Sequence, residues 1–217
     1  MDDFNLLQKI AIGVLPVLFA ITVHEVAHGW VAMRLGDRTA MMLGRLTLNP
    51  IKHIDPIGTL LIPGLMLAFS PFIFGWAKPV PVTWENLRNP KRDMALVAAA
   101  GPAANLIMTL MWAGIMKLSL LLPASLAMAT QPLLYMGIIG IKINLILMVL
   151  NLLPLPPLDG SRIVSSLLPD KLSWRYSQLE NYGLLIVLAL LATGVLGRII
   201  GPPIYQLQAM LFMLFGL

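Results

Sequence analysis

Between Leu6 and Met33 the only ionisable side chains are Lys9, near the start, and a cluster of His24, Glu25 and His28 towards the end. An apolar run of that length is enough to cross a bilayer as a helix. Ionisable groups inside such a run are costly in lipid, so the cluster must face protein or a wet cavity. No other feature constrains the fold as strongly, because further membrane-embedded elements have to surround this one.

Composition supplies them. The 217 residues are 58% hydrophobic and only 12% charged, with a mean hydropathy of +0.83. A soluble domain of this size cannot bury that much apolar surface, so 1–217 reads as a single membrane unit without a separate soluble domain. Further apolar stretches fall at 57–76, broken by Pro63, Gly64 and Pro71, and at 94–116. Residues 118–141 carry several Gly and Pro and lead into a span ending near Leu158. Two more stretches cover 182–196 and 204–217, the last short for a crossing.

The expected fold is an all-α polytopic membrane protein of about five to six transmembrane or re-entrant helices, with short β-strand segments near the site. The strands are expected at Met41–Leu48 and Ala77–Val82, where Pro79 and Pro81 bar a helix. An edge there could receive substrate as an added strand. The catalytic core is placed at about 6–168 and the C-terminal helices at about 180–217.

The net charge is +5, yet the basic residues sit in connections and lack interleaved aromatics. They orient the chain and meet anionic lipid, and nucleic acid is not an expected partner. Arg34, Arg38, Arg45, Lys52, Lys78, Arg88, Lys91 and Arg92 lie between the first and third apolar stretches. Keeping all of them cytoplasmic requires 57–76 to return to its own side, which its Pro and Gly content suits. The first span then runs outward-to-inward and the site faces the cytoplasmic side. Lys142 is expected at a helix start, snorkelling to the outer interface, and Arg162 at lipid headgroups.

His24-Glu25-Val26-Ala27-His28 is an HExxH motif. On a helix the i, i+4 spacing puts both imidazoles on one face, where they can share a Zn²⁺ ion, with Glu25 beside them as a proton acceptor. With no Cys in the chain, a third ligand is a carboxylate or His53. His53 lies in a polar connection and reads as a surface residue. Asp159 is better placed. It follows Pro154, Pro156 and Pro157, which end any helix, and it precedes Gly160, which permits a sharp turn. An Asp-Gly pair also suits a helix N-cap.

HEVAH at 24–28, Gly101-Pro102-Ala103-Ala104-Asn105 and the later NLLPLPPLDG at 151–160 together resemble the site-2 protease family of intramembrane metalloproteases. The resemblance covers about 6–168. It implies one zinc ion bound by His24, His28 and Asp159, with Glu25 as general base. It further implies that Asn151 hydrogen-bonds substrate or the developing oxyanion, and that Asn105 helps shape the same region. Its implied substrate is a single-pass transmembrane protein or peptide, and its implied location a prokaryotic plasma membrane. Some members carry a PDZ domain, for which this chain has no room; a mobile 57–76 insertion is expected to gate the site instead. The rival reading is a catalytically inactive, zinc-binding or zinc-transporting membrane protein. A transporter needs intramembrane carboxylates along a path, and the spans hold almost none besides Glu25 and Asp159.

Overall fold

The computed structural model describes residues 4–69 and 75–217. Helix α1 (Leu6–Leu35) opens with a reciprocal cap: Gln8 N–H donates to Asn5 Oδ1 and Asn5 N–H to Gln8 Oε1. That satisfies two otherwise orphaned amides. After α1 come a short helix α2 (Thr39–Met42), a 3₁₀ turn (Pro50–His53), a π-helical turn (Pro56–Leu61) and α3 (Ile62–Phe69). An extended strap, 75–83, leads through a 3₁₀ turn (Trp84–Asn86) into the long helix α4 (Pro90–Leu121). Helix α5 (Ala127–Asn151) follows after a further 3₁₀ turn. The chain ends in α6 (Asp159–Leu167), α7 (Asp170–Ser177), α8 (Glu180–Ala192) and α9 (Val195–Phe215).

Helices α1, α4 and α5 form the central bundle; α9 packs on α4 and α5, and α6 on α4. Small residues at the contacts, Ala20, Ala98 and Ala113, are buried and let the backbones approach closely. Trp112, Met108, Ile141, Leu145 and Met148 fill the space between α4 and α5, with Leu211 of α9 closing it. The outward faces carry exposed apolar side chains such as Leu7, Ile10, Ile107 and Met111, the pattern of a bundle solvated by lipid.

Two expectations about the fold are overturned. Three helices, α1, α4 and α5, are long and apolar enough to cross a membrane, or four if the pair α8 and α9, bent by 80°, counts as one. The count of about five to six was too high because Gly and Pro were read as breaks. Pro132 lies inside α5, so the 118–141 stretch and the span after it are mostly one helix. Lys142 is consequently exposed well inside α5 and not at its start. The real bend near the C-terminus is at Gly194 (φ +72°), whereas Pro202 and Pro203 are accommodated within α9.

Nor is there a β-strand among the described residues. Met41 and Met42 end a helical turn. In the strap, Pro79 and Pro81 have no N–H to give, and the remaining groups are taken by side chains and loop carbonyls. Lys78 N–H donates to the His53 carbonyl, Val80 N–H to Glu25, and Arg45 Nη2 donates to the Lys78 and Pro79 carbonyls. A backbone satisfied in this way has no ladder left to form.

The stretch expected to insert and return begins and ends at one place. Trp76 N–H donates to the Gly58 carbonyl at 3.1 Å, and Thr59 Oγ1 donates to the Trp76 carbonyl at 2.8 Å. Its residues 70–74 lie outside those described.

Candidate metal centre

Three prolines between Asn151 and Leu158 stop α5 and force a compact turn, after which α6 starts at Asp159. A Cβ on Gly160 would strike the Leu152 and Leu153 carbonyls, so glycine is what lets α6 begin against that turn. The turn delivers Asp159 to His24 and His28, which share one face of α1. Asp159 Oδ2 lies 3.3 Å from Nε2 of each histidine, and the two Nε2 atoms are 3.1 Å apart. The side chains are only 9%, 12% and 15% exposed for His24, His28 and Asp159.

The protons on these groups follow from their partners. His28 Nδ1 lies 2.7 Å from the Val97 carbonyl, which can only accept, so Nδ1 carries the hydrogen. His24 Nδ1 lies 2.6 Å from Asn105 Oδ1. The Asn105 amide is oriented by its Nδ2, which donates to the Ala20 carbonyl and to Asn144 Oδ1; Asn144 Nδ2 in turn donates to the Gly140 carbonyl. Both neutral imidazoles therefore turn a bare lone pair towards the other and towards a carboxylate. Asp159 Oδ2 is buried without a hydrogen-bond donor. Three converging acceptors with no proton between them repel one another unless a cation joins them.

The spacing suits zinc. Tetrahedral Zn²⁺ with metal–ligand bonds of about 2.0–2.1 Å sets its donor atoms roughly 3.3–3.4 Å apart, against the 3.1 and 3.3 Å found here. Neutral imidazoles and a carboxylate are also the donor types zinc takes. Gly101 of α4 makes the space. A Cβ there would collide with His28 Nε2 and with the His24 ring.

Around the cluster is a cavity of about 370 Å³ lined by Glu25, Asn151 and Arg162 and walled by the strap from Pro79 to Val82. Glu25 Oε2 accepts from Val80 N–H at 2.8 Å, so its carboxylate is held beside the histidines. Asn151 lines the cavity while its Nδ2 donates to the Leu147 carbonyl.

Comparison with known proteins agrees with this constellation. Residues 113–193 match the model of peptidase family M50. The chain is 40% identical to YwhC of Bacillus subtilis over 87% of this chain and 84% of that protein. It is 30% identical to Rip2 of Mycolicibacterium smegmatis over 91% of this chain and 74% of the relative. Both carry the name of a zinc metalloprotease. The chain belongs to peptidase family M50. As an M50 member it is an enzyme of the peptidase class, in line with its resemblance to the site-2 proteases. No solved structure matches it significantly.

Within this M50 chain, His24, Glu25, His28, Asn151 and Asp159 meet at one cavity. Asn105 does not line it. It is fully buried behind His24, the opposite side from any substrate. His53 is not at the surface: it is 2% exposed, with Nε2 2.9 Å from the Thr47 carbonyl, away from the cluster. Sequence reasoning passed over Asn144. A single buried Asn in an apolar helix was its only signal, and polar residues in spans are costly enough to flag. It also sent Arg162 to the headgroups, whereas the side chain lines the cavity.

Proposed function

We propose that the chain is an intramembrane zinc metalloendopeptidase that hydrolyses peptide bonds in transmembrane segments. The observation carrying this reading is the three-acceptor cluster of His24, His28 and Asp159 with Glu25 fixed beside it in one cavity. The relatives' zinc metalloprotease names support it. So do α1, α4 and α5, long and apolar enough to set the cluster within a membrane.

In this reading His24, His28 and Asp159 hold the metal. When bound, zinc supplies Lewis acidity, which makes water a competent nucleophile near neutral pH and polarises the carbonyl under attack. Glu25 takes the proton from the attacking water and returns it to the leaving amine. The Val80 N–H fixes one of its carboxylate oxygens, so the base is already oriented when substrate arrives. Asn151 offers an amide to the oxyanion that develops on the scissile carbonyl. Asn105 acts through His24, holding the ring's tautomer and direction.

The working unit spans about 6–168, with α8 and α9 as C-terminal support. The basic residues between α1 and α4 place the site towards the cytoplasmic side, where water can reach it. Substrate is a single-pass membrane protein or peptide, locally unwound to expose a carbonyl. A zinc-transporting membrane protein remains the competing function, because it would use the same ligands.

Cleavage of a model transmembrane substrate by the purified protein, with bound zinc measured in parallel, tests the reading. Glu25→Gln should keep its zinc and lose on the order of 10²–10⁴ in rate. If wild type and Glu25→Gln both bind zinc and neither cuts any substrate in a broad panel, transport or storage displaces the protease reading.

A further inference from the structure

The cavity has one arginine or lysine in its lining among the described residues, Arg162. It stands one helical turn beyond Asp159 on α6, so its side chain leaves the same face of the helix as that carboxylate. Its guanidinium carbon lies 4.8 Å over the ring of Trp84, which lines the same cavity from the far end of the strap. Stacking holds the planar group by its face and leaves its edge, where the donors are, directed outward.

That edge is poorly used. A guanidinium has five N–H donors. Here it meets a single acceptor, Glu180 Oε1, at 3.5 Å from Nη2, too long for a good charge-assisted hydrogen bond. Glu180 is 52% exposed and Arg162 33%, so the pair is a loose contact at the rim. The cavity's apolar strap and proline walls offer an extended peptide no other counter-charge. A stacked arginine with spare donors, next to a proposed hydrolytic centre and touched by one weakly held carboxylate, has the form of a carboxylate-binding position with a resident stand-in.

We infer that Arg162 is a specificity-determining residue that binds a carboxylate of the substrate close to the scissile bond, displacing Glu180. The inference rests on the protease reading above. The chemistry recognised is a carboxylate on the cytoplasmic flank of the cut segment, supplied either by an Asp or Glu side chain or by a peptide's free C-terminus. The Trp84 ring keeps the guanidinium in place when Glu180 leaves, so the exchange costs little ordering.

The experiment uses full-length, zinc-loaded protein in detergent and a transmembrane peptide that wild type cuts. Glu or Gln is placed singly at each of about six positions on either side of the scissile bond. At one position Glu should lower KM roughly tenfold relative to Gln, with kcat little changed. In Arg162→Gln the Glu-to-Gln ratio should fall to about one, and Arg162→Glu should favour Lys at that position. Ending the peptide there as a free acid or as an amide separates the two sources of the carboxylate. A preference seen only with the free acid assigns a chain terminus, and one seen with internal Glu assigns a side chain.

Glu180→Gln tests the same idea with the arginine intact. Removing the stand-in should tighten binding of the Glu peptide several-fold and leave the Gln peptide unchanged. Equal cleavage of Glu and Gln peptides by wild type at every position, in an enzyme that Glu25→Gln silences, would overturn this inference and leave the protease reading standing. If wild type cuts no peptide, the protease reading fails and the inference with it.

Discussion

At the scale of single residues the site is built from hydrogen-bond bookkeeping. Once Val97 and Asn105 have claimed the Nδ1 hydrogens, each Nε2 has only a lone pair to offer. Asn105→Ala should therefore leave His24 in the bundle yet weaken zinc binding about 10–100-fold, read by competition with a chelating dye. Asn144→Ala should weaken it less, because it only frees the Asn105 amide to turn. An unchanged affinity in Asn105→Ala would remove the positioning role. Gly101→Ala should be worse than either, since the added methyl occupies space used by both imidazoles. Its check is zinc stoichiometry in a protein whose helical content is intact. The HExxH and the later Asp159 were legible because their spacing has a mechanism. The role of Asn105 was not: a motif shows which residue recurs near a site, but the side on which its amide lies depends on how α4 meets α1.

The elements around the site depend on one buried carboxylate outside the spans. Asp37, just after α1, is fully buried and accepts hydrogen bonds from Thr39 N–H, Thr83 N–H at 2.7 Å and Asn86 Nδ2 at 3.2 Å. It joins the end of the helix that carries the histidines to the end of the strap that holds Glu25. Burial pushes its carboxyl pKa up, and the hydrogen bonds from Thr39, Thr83 and Asn86 outweigh that, so it lies below the usual carboxylate value. A group depressed in this way adds stability that is in place above its unfolded pKa, about 3.9, and is lost as pH falls through the folded one. Asp37→Asn should cost about 2 kcal/mol near neutral pH. The gap to wild type should close as pH drops below about 4, measured as thermal midpoints in detergent. A gap that persists there would mean shape, not charge, is what Asp37 supplies. The strap shows why element type was misjudged. Pro-Val-Pro-Val rules out a helix from sequence alone, but whether an extended segment becomes a strand depends on a partner edge. Here side chains of α1 and the loops occupy its polar groups.

Across the whole molecule, α1, α4 and α5 bring together ligands separated by most of the chain, so metal and bundle should be coupled. Stripping zinc with a chelator should lower the thermal midpoint, and re-adding it should restore the value, because a ligand bound only by the folded state stabilises it by mass action. An identical midpoint with and without metal would argue that the cluster binds nothing tightly. Orientation is open to direct test because the chain has no Cys. A single cysteine at Lys52 or Lys91 should react with an impermeant reagent from the cytoplasmic side only, and labelling from outside would reverse the proposed topology.

The sequence by itself determined the solvent of this protein and the identity of its chemical groups. Hydropathy selects lipid over water, and the HExxH spacing places two imidazoles on one helical face whatever surrounds them. Both are local properties, set by 1.5 Å of rise and 100° of turn per residue. Tertiary structure alone decided how many helices the Gly and Pro residues interrupt, whether the strap pairs, which way Asn105 faces and that Arg162 reaches the cavity. Each of those depends on what lies across a contact from a residue distant in sequence, and a close-packed bundle settles that only when all its helices are in place.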